Sequence, residues 1–91
     1  MQQSVRFDLG ERRHVKMIVK PVCGDDIPFA IRNARWELVT HGDIVDNGEC
    51  TITDHELDIV IEPQKIGSYN LKVTYEIADE TWVDNITVEV D

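Results

Sequence analysis

Metal binding is the first chemistry to weigh, because His14, His41, His55, Cys23 and Cys50 are scattered among many carboxylates. The histidines occur singly, without the His-x-x-x-His or paired-cysteine spacing that converges ligands on a transition metal. Asp54-His55-Glu56 offers no more than an opportunistic cation contact. Asp43-Ile44-Val45-Asp46-Asn47-Gly48-Glu49 is acidic like a calcium loop, yet it lacks the alternate-position ligands and the distal bidentate glutamate. Weak calcium binding through these oxygens is the residual metal reading. Asp25-Asp26 and Asp79-Glu80 read as solvated turn residues. Ser4 and Ser68 have no base close in sequence and no nucleophile-elbow pattern. A 91-residue chain without a large loop leaves little room for a concave cleft. The expectation is a non-enzymatic protein without a cofactor.

Two cysteines are too few for a disulfide framework. In a reducing compartment both act as small buried apolar groups, with a Cys23–Cys50 bridge as the alternative. Trp82 is the aromatic whose exposure would matter, since an exposed indole beside acids can stack on a sugar. Packing in the core is its competing role.

The elements that must position these residues are strands. Tyr69, Leu71, Val73, Tyr75 and Ile77 fall on one side of an extended segment, and Asn70, Lys72, Thr74 and Glu76 on the other. That is the pattern of a sheet with one dry and one wet face. Val5, Phe7 and Leu9 alternate, then Val15, Met17 and Val19, with Gly10-Glu11-Arg12-Arg13 as the turn between. Cys23-Gly24-Asp25-Asp26 is loop material. Ile27, Phe29 and Ile31 alternate again, and the phase resumes after Asn33 with Ala34, Trp36 and Leu38. His41-Gly42-Asp43 breaks that strand.

Asp46-Asn47-Gly48-Glu49 predicts a hairpin turn between Ile44-Val45 and Cys50-Thr51-Ile52, because Asn-Gly suits a turn with positive φ at both central residues. Leu57, Ile59 and Ile61 form a strand stopped by Pro63. Ala78-Asp79-Glu80 is a turn, and Trp82 to Val90 supplies the last strand. Its phase is irregular: Trp82 pointing inward would carry Asp84 inward too, a costly burial. A bulge at Asp84-Asn85, placing Val83 and Ile86 inside, is the expected solution. No segment longer than about ten residues carries a helical period. Turns recur at about the 8–12-residue spacing of an all-β sandwich or barrel.

One domain over residues 1–91 is expected, built on a small core. Nothing approaches the eighteen or so apolar residues of a membrane helix. Met1 with no apolar leader predicts a protein made and kept in the cytoplasm. The net charge is −9, but Arg6, Arg12, Arg13, Lys16 and Lys20 concentrate five of the nine basic residues in the first twenty positions. The acidic remainder would repel nucleic acid. A basic patch meeting the acidic body of a neighbouring copy is the sharper reading of that asymmetry, and solubility the blander one.

Lys65-Ile66-Gly67-Ser68-Tyr69-Asn70-Leu71 resembles the Asp-x-Gly-x-Tyr-x-Cys segment of immunoglobulin-type sandwiches, whose tyrosine hydroxyl bonds nearby backbone at a strand corner. Trp36 stands thirteen residues after Cys23, where that family places its buried tryptophan. Lys65 replaces the acid and Leu71 the second cysteine, so the antibody-type inter-sheet disulfide cannot form. The chain is more similar to disulfide-free bacterial and bacteriophage immunoglobulin-like modules, of invasin-like surface proteins and of phage tail or baseplate proteins. The matching pieces are Gly24-Asp25-Asp26-Ile27-Pro28, Ala34-Arg35-Trp36, Asp46-Asn47-Gly48, and Pro63 through Tyr69.

The resemblance implies an immunoglobulin-like β-sandwich of about seven to eight antiparallel strands. Trp36, Tyr69, Leu71, Gly67 and Gly48 would be its structural residues. It implies a structural or adhesive module: a phage or prophage virion component of tail, baseplate or head-accessory type, docking on copies of itself or on a larger assembly. The alternative is an adhesin-type module for a carbohydrate or protein, assisted by calcium. Arg6, Arg12, Arg13, Lys16, Ile18, Val60, Trp82 and Val83 are the expected interface residues. Ile18 and Val60 fall on the wet faces of strands that neighbour each other in such a fold, and Val39 and Val83 flank its other sheet.

Overall fold

The computed structural model describes residues 3–19, 30–77 and 79–91. The expected loop at Cys23-Gly24-Asp25-Asp26, the strand residues Ile27 and Phe29, and Lys20, Pro21, Pro28 and Ala78 lie outside them. Among the described residues the chain forms eight strands and no helix: β1 (Gln3–Phe7), β2 (Arg13–Ile18), β3 (Ile31–Thr40), β4 (Asp43–Glu49), β5 (Thr51–Thr53), β6 (Glu56–Ile61), β7 (Gly67–Ile77) and β8 (Glu80–Val90). They make a five-stranded sheet, β1-β8-β7-β3-β4, and a three-stranded sheet, β2-β6-β5. This is the expected β-sandwich, with β8-β7-β3 and β2-β6-β5 in the G-F-C and B-E-D orders of the immunoglobulin type. No helix of the described residues is long and apolar enough to cross a membrane.

The core lies where the alternation points. Tyr69, Leu71, Val73 and Tyr75 of β7 are buried beside Trp36 and Leu38 of β3 and Ile86, Val88 and Val90 of β8. Val15 and Met17 of β2 and Leu57, Ile59 and Ile61 of β6 join the same cluster from the other sheet. Each large aliphatic side chain so buried contributes about 1.5–3 kcal/mol from removal of apolar surface from water. The phase jump in β3 is a bulge: Ile31 pairs with Ile77 and Asn33 with Glu76, so Arg32 is the extra residue and Ala34 turns inward.

Three features differ from the expectation. β1 pairs with β8 in parallel, Gln3 opposite Ile86 through Phe7 opposite Val90. The chain passes from one sheet to the other between β1 and β2, so β1 takes its partner from the far end of the sequence. Bonds from Leu9 N–H to Asp91 O (2.8 Å) and from Asp91 N–H to Phe7 O (3.0 Å) extend that pairing.

Asn47-Gly48 is not a turn. β4 runs straight through it, with Asn47 opposite Glu37 and Gly48 opposite Trp36. The hairpin turn lies earlier, at His41-Gly42, where both φ values are positive (52° and 80°) and Thr40 pairs with Asp43. Both positive values match the primed turn whose twist suits two flanking strands. After β4 the chain crosses to the other sheet at buried Cys50, whose N–H donates to Ala34 O at 3.0 Å.

β8 carries no bulge at Asp84-Asn85. Its register against β7 is continuous from Gly67–Val90 to Ile77–Glu80. Trp82, Asp84 and Ile86 share a face, but the burial cost does not arise. Asp84 remains exposed and accepts a 2.7 Å hydrogen bond from the Tyr75 hydroxyl. Val83 is exposed on the opposite face.

Candidate protein interface

The structural residues hold the sandwich closed around its ends. Leu71 is fully buried, and Trp36 and Tyr69 are nearly so. The Tyr69 hydroxyl donates to Lys65 O at 2.7 Å, four residues upstream, as the resemblance implied. Gly67, with φ of 140°, opens β7 in a conformation that side-chain-bearing residues rarely adopt. Gly48 is a structural residue for a reason other than a turn: the Trp36 indole lies against its backbone.

The basic residues expected at an interface lie on one flank, that of β1 and β2. Arg6 on β1 forms an exposed ion pair with Asp91 at 2.9 Å. Arg13 at the start of β2 donates to Arg6 O at 2.9 Å, approaches Glu11 at 3.6 Å and stacks 5.0 Å from the Phe7 ring centroid. These contacts tie the β1 and β2 edges together on the same side of the sandwich. Arg12 and Lys16 are exposed and make no ion pair among the described residues.

The aliphatic residues do not form one patch. Ile18 is 65% exposed and Val60 half-buried on the outer face of the β2–β6 pair. Ile18 lies opposite Glu56 and Val60 opposite His14, with the Lys16–Asp58 pair between them. Val39 and Val83 lie opposite Asn70 and Thr74 on the two sides of β7, equally apart. Trp82 is half-buried and packs against the core.

His14 Nδ1 stands 2.9 Å from Asp58 Oδ1, while His41 and His55 occupy turns. No group of three or more metal-ligating side chains converges among the described residues. Burial, with a smaller contribution from Asp58, pushes the Cys50 thiol up to about 11, leaving it a poor nucleophile near neutral pH. Cys23 lies outside the described residues.

A further open surface is one that the Asn-Gly signal obscured. β4 is an edge strand of seven residues, paired on one side only among the described residues. A three-stranded sheet is too narrow to cover a five-stranded one, so the inner face of β4 borders a groove of about 470 Å³. Leu38, Val45, Pro63 and Tyr69 contribute apolar surface to it, and Asp46 and Glu62 line it with carboxylates beside Lys65. The β3–β4 register shift leaves Val45 as an extra residue, and Ile44 and Val45 are exposed side by side. Asp43, Asp46 and Glu49 give this edge one sign of charge. The legible signal was the absence of lysine or arginine between Arg35 and Lys65.

No protein-family model matches the chain, and no curated protein matches it in sequence.

Proposed function

We propose that this chain is a non-enzymatic structural module that acts by docking onto protein surfaces. The observation that carries the reading is the long open edge of β4. Among the described residues its outward backbone groups have no strand partner and nothing covers its inner face, and Ile44 and Val45 stand exposed beside it. An open edge of this length is a template for another chain. Natural sheets blunt such edges with charged side chains, proline, bulges or very short strands; β4 has no proline or lysine and is seven residues long, and its carboxylates make it selective for a partner of opposite charge. A register shift against β3 leaves Val45 as the extra residue of this edge.

The setting we infer is a phage or prophage particle, with the chain as a tail, baseplate or head-accessory component, as the resemblance to immunoglobulin-like modules of such particles implies. The adhesin reading leaned on an exposed Trp82, and the half-burial of that ring gives it no support. The test is sedimentation of the purified chain over a wide concentration range, together with co-sedimentation with particles from cells expressing it. Self-association or recovery with particles supports docking. A strictly monomeric chain that never travels with particles ends this reading.

A further inference from the structure

We propose that the docking partner of β4 is a second copy of the same chain, joined head to tail, with the acidic β4 edge of one copy receiving the basic β1–β2 flank of the next. This rests on the docking function above and names its partner. β1 and β4 are the two ends of the five-stranded sheet. β2, an end of the other sheet, lies on the β1 side, where Arg13 bonds Arg6 O. β5 lies on the β4 side, because the chain passes from β4 to β5 through Cys50, itself bonded to Ala34 of β3. The sandwich therefore has two opposite flanks.

Their charges are complementary. The β1–β2 flank carries Arg6, Arg12, Arg13 and Lys16 against Asp8, Glu11 and Asp91; Arg6 is paired with Asp91 and Arg13 faces Glu11, so Arg12 and Lys16 are its unpaired cations among the described residues. On the β4–β5 flank the two strands and their turn carry Asp43, Asp46, Glu49 and Asp54 and no lysine or arginine, with Lys65 the cation of the adjoining groove. Two β4 edges brought together would set carboxylates against carboxylates, and like charges across a strand pair are destabilising. A contact between unlike flanks satisfies both, steers the encounter, and places Ile44 and Val45 under cover. Such a contact is heterologous: each copy retains one unused flank, so association continues into a ring or an open filament.

Two double variants at exposed positions test this, one reversing each flank: Asp43→Lys with Asp46→Lys, and Arg12→Glu with Lys16→Glu. Circular dichroism of each checks that the sandwich is retained. In sedimentation at low salt, the unaltered chain should associate, and its association should weaken by about tenfold or more as salt screens the charges. Each variant alone should stay monomeric, and an equimolar mixture should associate again. Self-association of the Arg12→Glu/Lys16→Glu variant as tight as that of the unaltered chain would overturn the proposal in favour of paired β4 edges. An unaltered chain that is monomeric at about millimolar concentration in low salt would also overturn it. Should that monomer still co-sediment with particles, docking stands and only the identity of the partner falls; without co-sedimentation, both fall.

Discussion

The indole of Trp36 lies directly against the backbone of Gly48, so that a Cβ at position 48 would stand 2.9 Å from Trp36 Nε1 and 3.0 Å from Cε2 and Cζ2. The two residues face each other across the β3–β4 pair. The backbone of an edge strand thereby serves as part of the lid over a buried ring. Trp36 is only 6% exposed, so the ring has no open space into which it can swing. Gly48→Ala is expected to cost about 1–3 kcal/mol through overpacking. Urea unfolding should show the midpoint falling at constant slope. An unchanged midpoint would mean that the ring yields without cost.

The turn at His41-Gly42 is the reverse case, a site where the residue present is not the best available. His41 has φ of 52°, which a side-chain-bearing residue holds at a cost and asparagine holds more easily. Asn-Gly is the preferred pair for this turn, so His41→Asn should stabilise the hairpin by about 0.3–1 kcal/mol. The thermal midpoint should rise by a few degrees, about what that free energy gives in a domain of this size. A fall would mean that the His41 side chain contributes a contact worth more than the turn preference.

These two glycine sites explain why part of the fold was legible and part was not. Alternation in Tyr69–Ile77 assigns every side chain to a face, and the burial of Tyr69, Leu71, Val73 and Tyr75 follows from it, whereas Thr74, expected on the wet face, is buried and Ile77 only partly so. The jump from Ile31 to Ala34 was visible because a bulge shifts phase by one residue. Two dipeptides, His41-Gly42 and Asn47-Gly48, competed for one turn, and local preference favours the second. Packing decided for the first, because Trp36 needs a residue without a Cβ opposite it. Alternation also says which way Val5 and Phe7 face but not which strand lies beside them, so the parallel β1–β8 pair was hidden. The interface was half legible. Charge clustering is written in the chain, whereas only topology makes β4 an edge and puts it opposite β1.

The tyrosine at the start of β7 offers a smaller, cleaner test. Tyr69 buries its ring and spends its hydroxyl on Lys65 O at 2.7 Å, fixing the turn that follows Pro63. Tyr69→Phe keeps the ring and deletes one hydrogen bond, for an expected loss of about 0.5–1.5 kcal/mol. Hydrogen exchange of the Lys65–Ser68 backbone should quicken more than that of the β6–β2 pair. Uniform acceleration across both sheets would instead show that the hydroxyl acts on global stability alone.

High pH should destabilise this protein through two groups. Burial, followed by hydrogen bonding to Asp84 and the charge of that carboxylate, holds the Tyr75 phenol well above its ordinary value of 10.0. Burial and then Asp58 raise the Cys50 thiol from 9.0 to about 11. In both cases the native state binds the proton more tightly than the unfolded chain does. Their contribution is therefore complete below the unfolded values and is lost as pH rises through the folded ones. The loss should begin near pH 9.0 with Cys50, whose share ends by about pH 11. Tyr75 adds to it from about pH 10 upward. The urea midpoint, followed from about pH 8 to pH 11, should fall steadily. Cys50→Ala should remove the early part of that fall, and Tyr75→Phe the later part. A midpoint that stays level over this range would show that neither proton is held by the fold, and the Tyr75–Asp84 bond at the rim of the sandwich would lose its claim to stabilise β8.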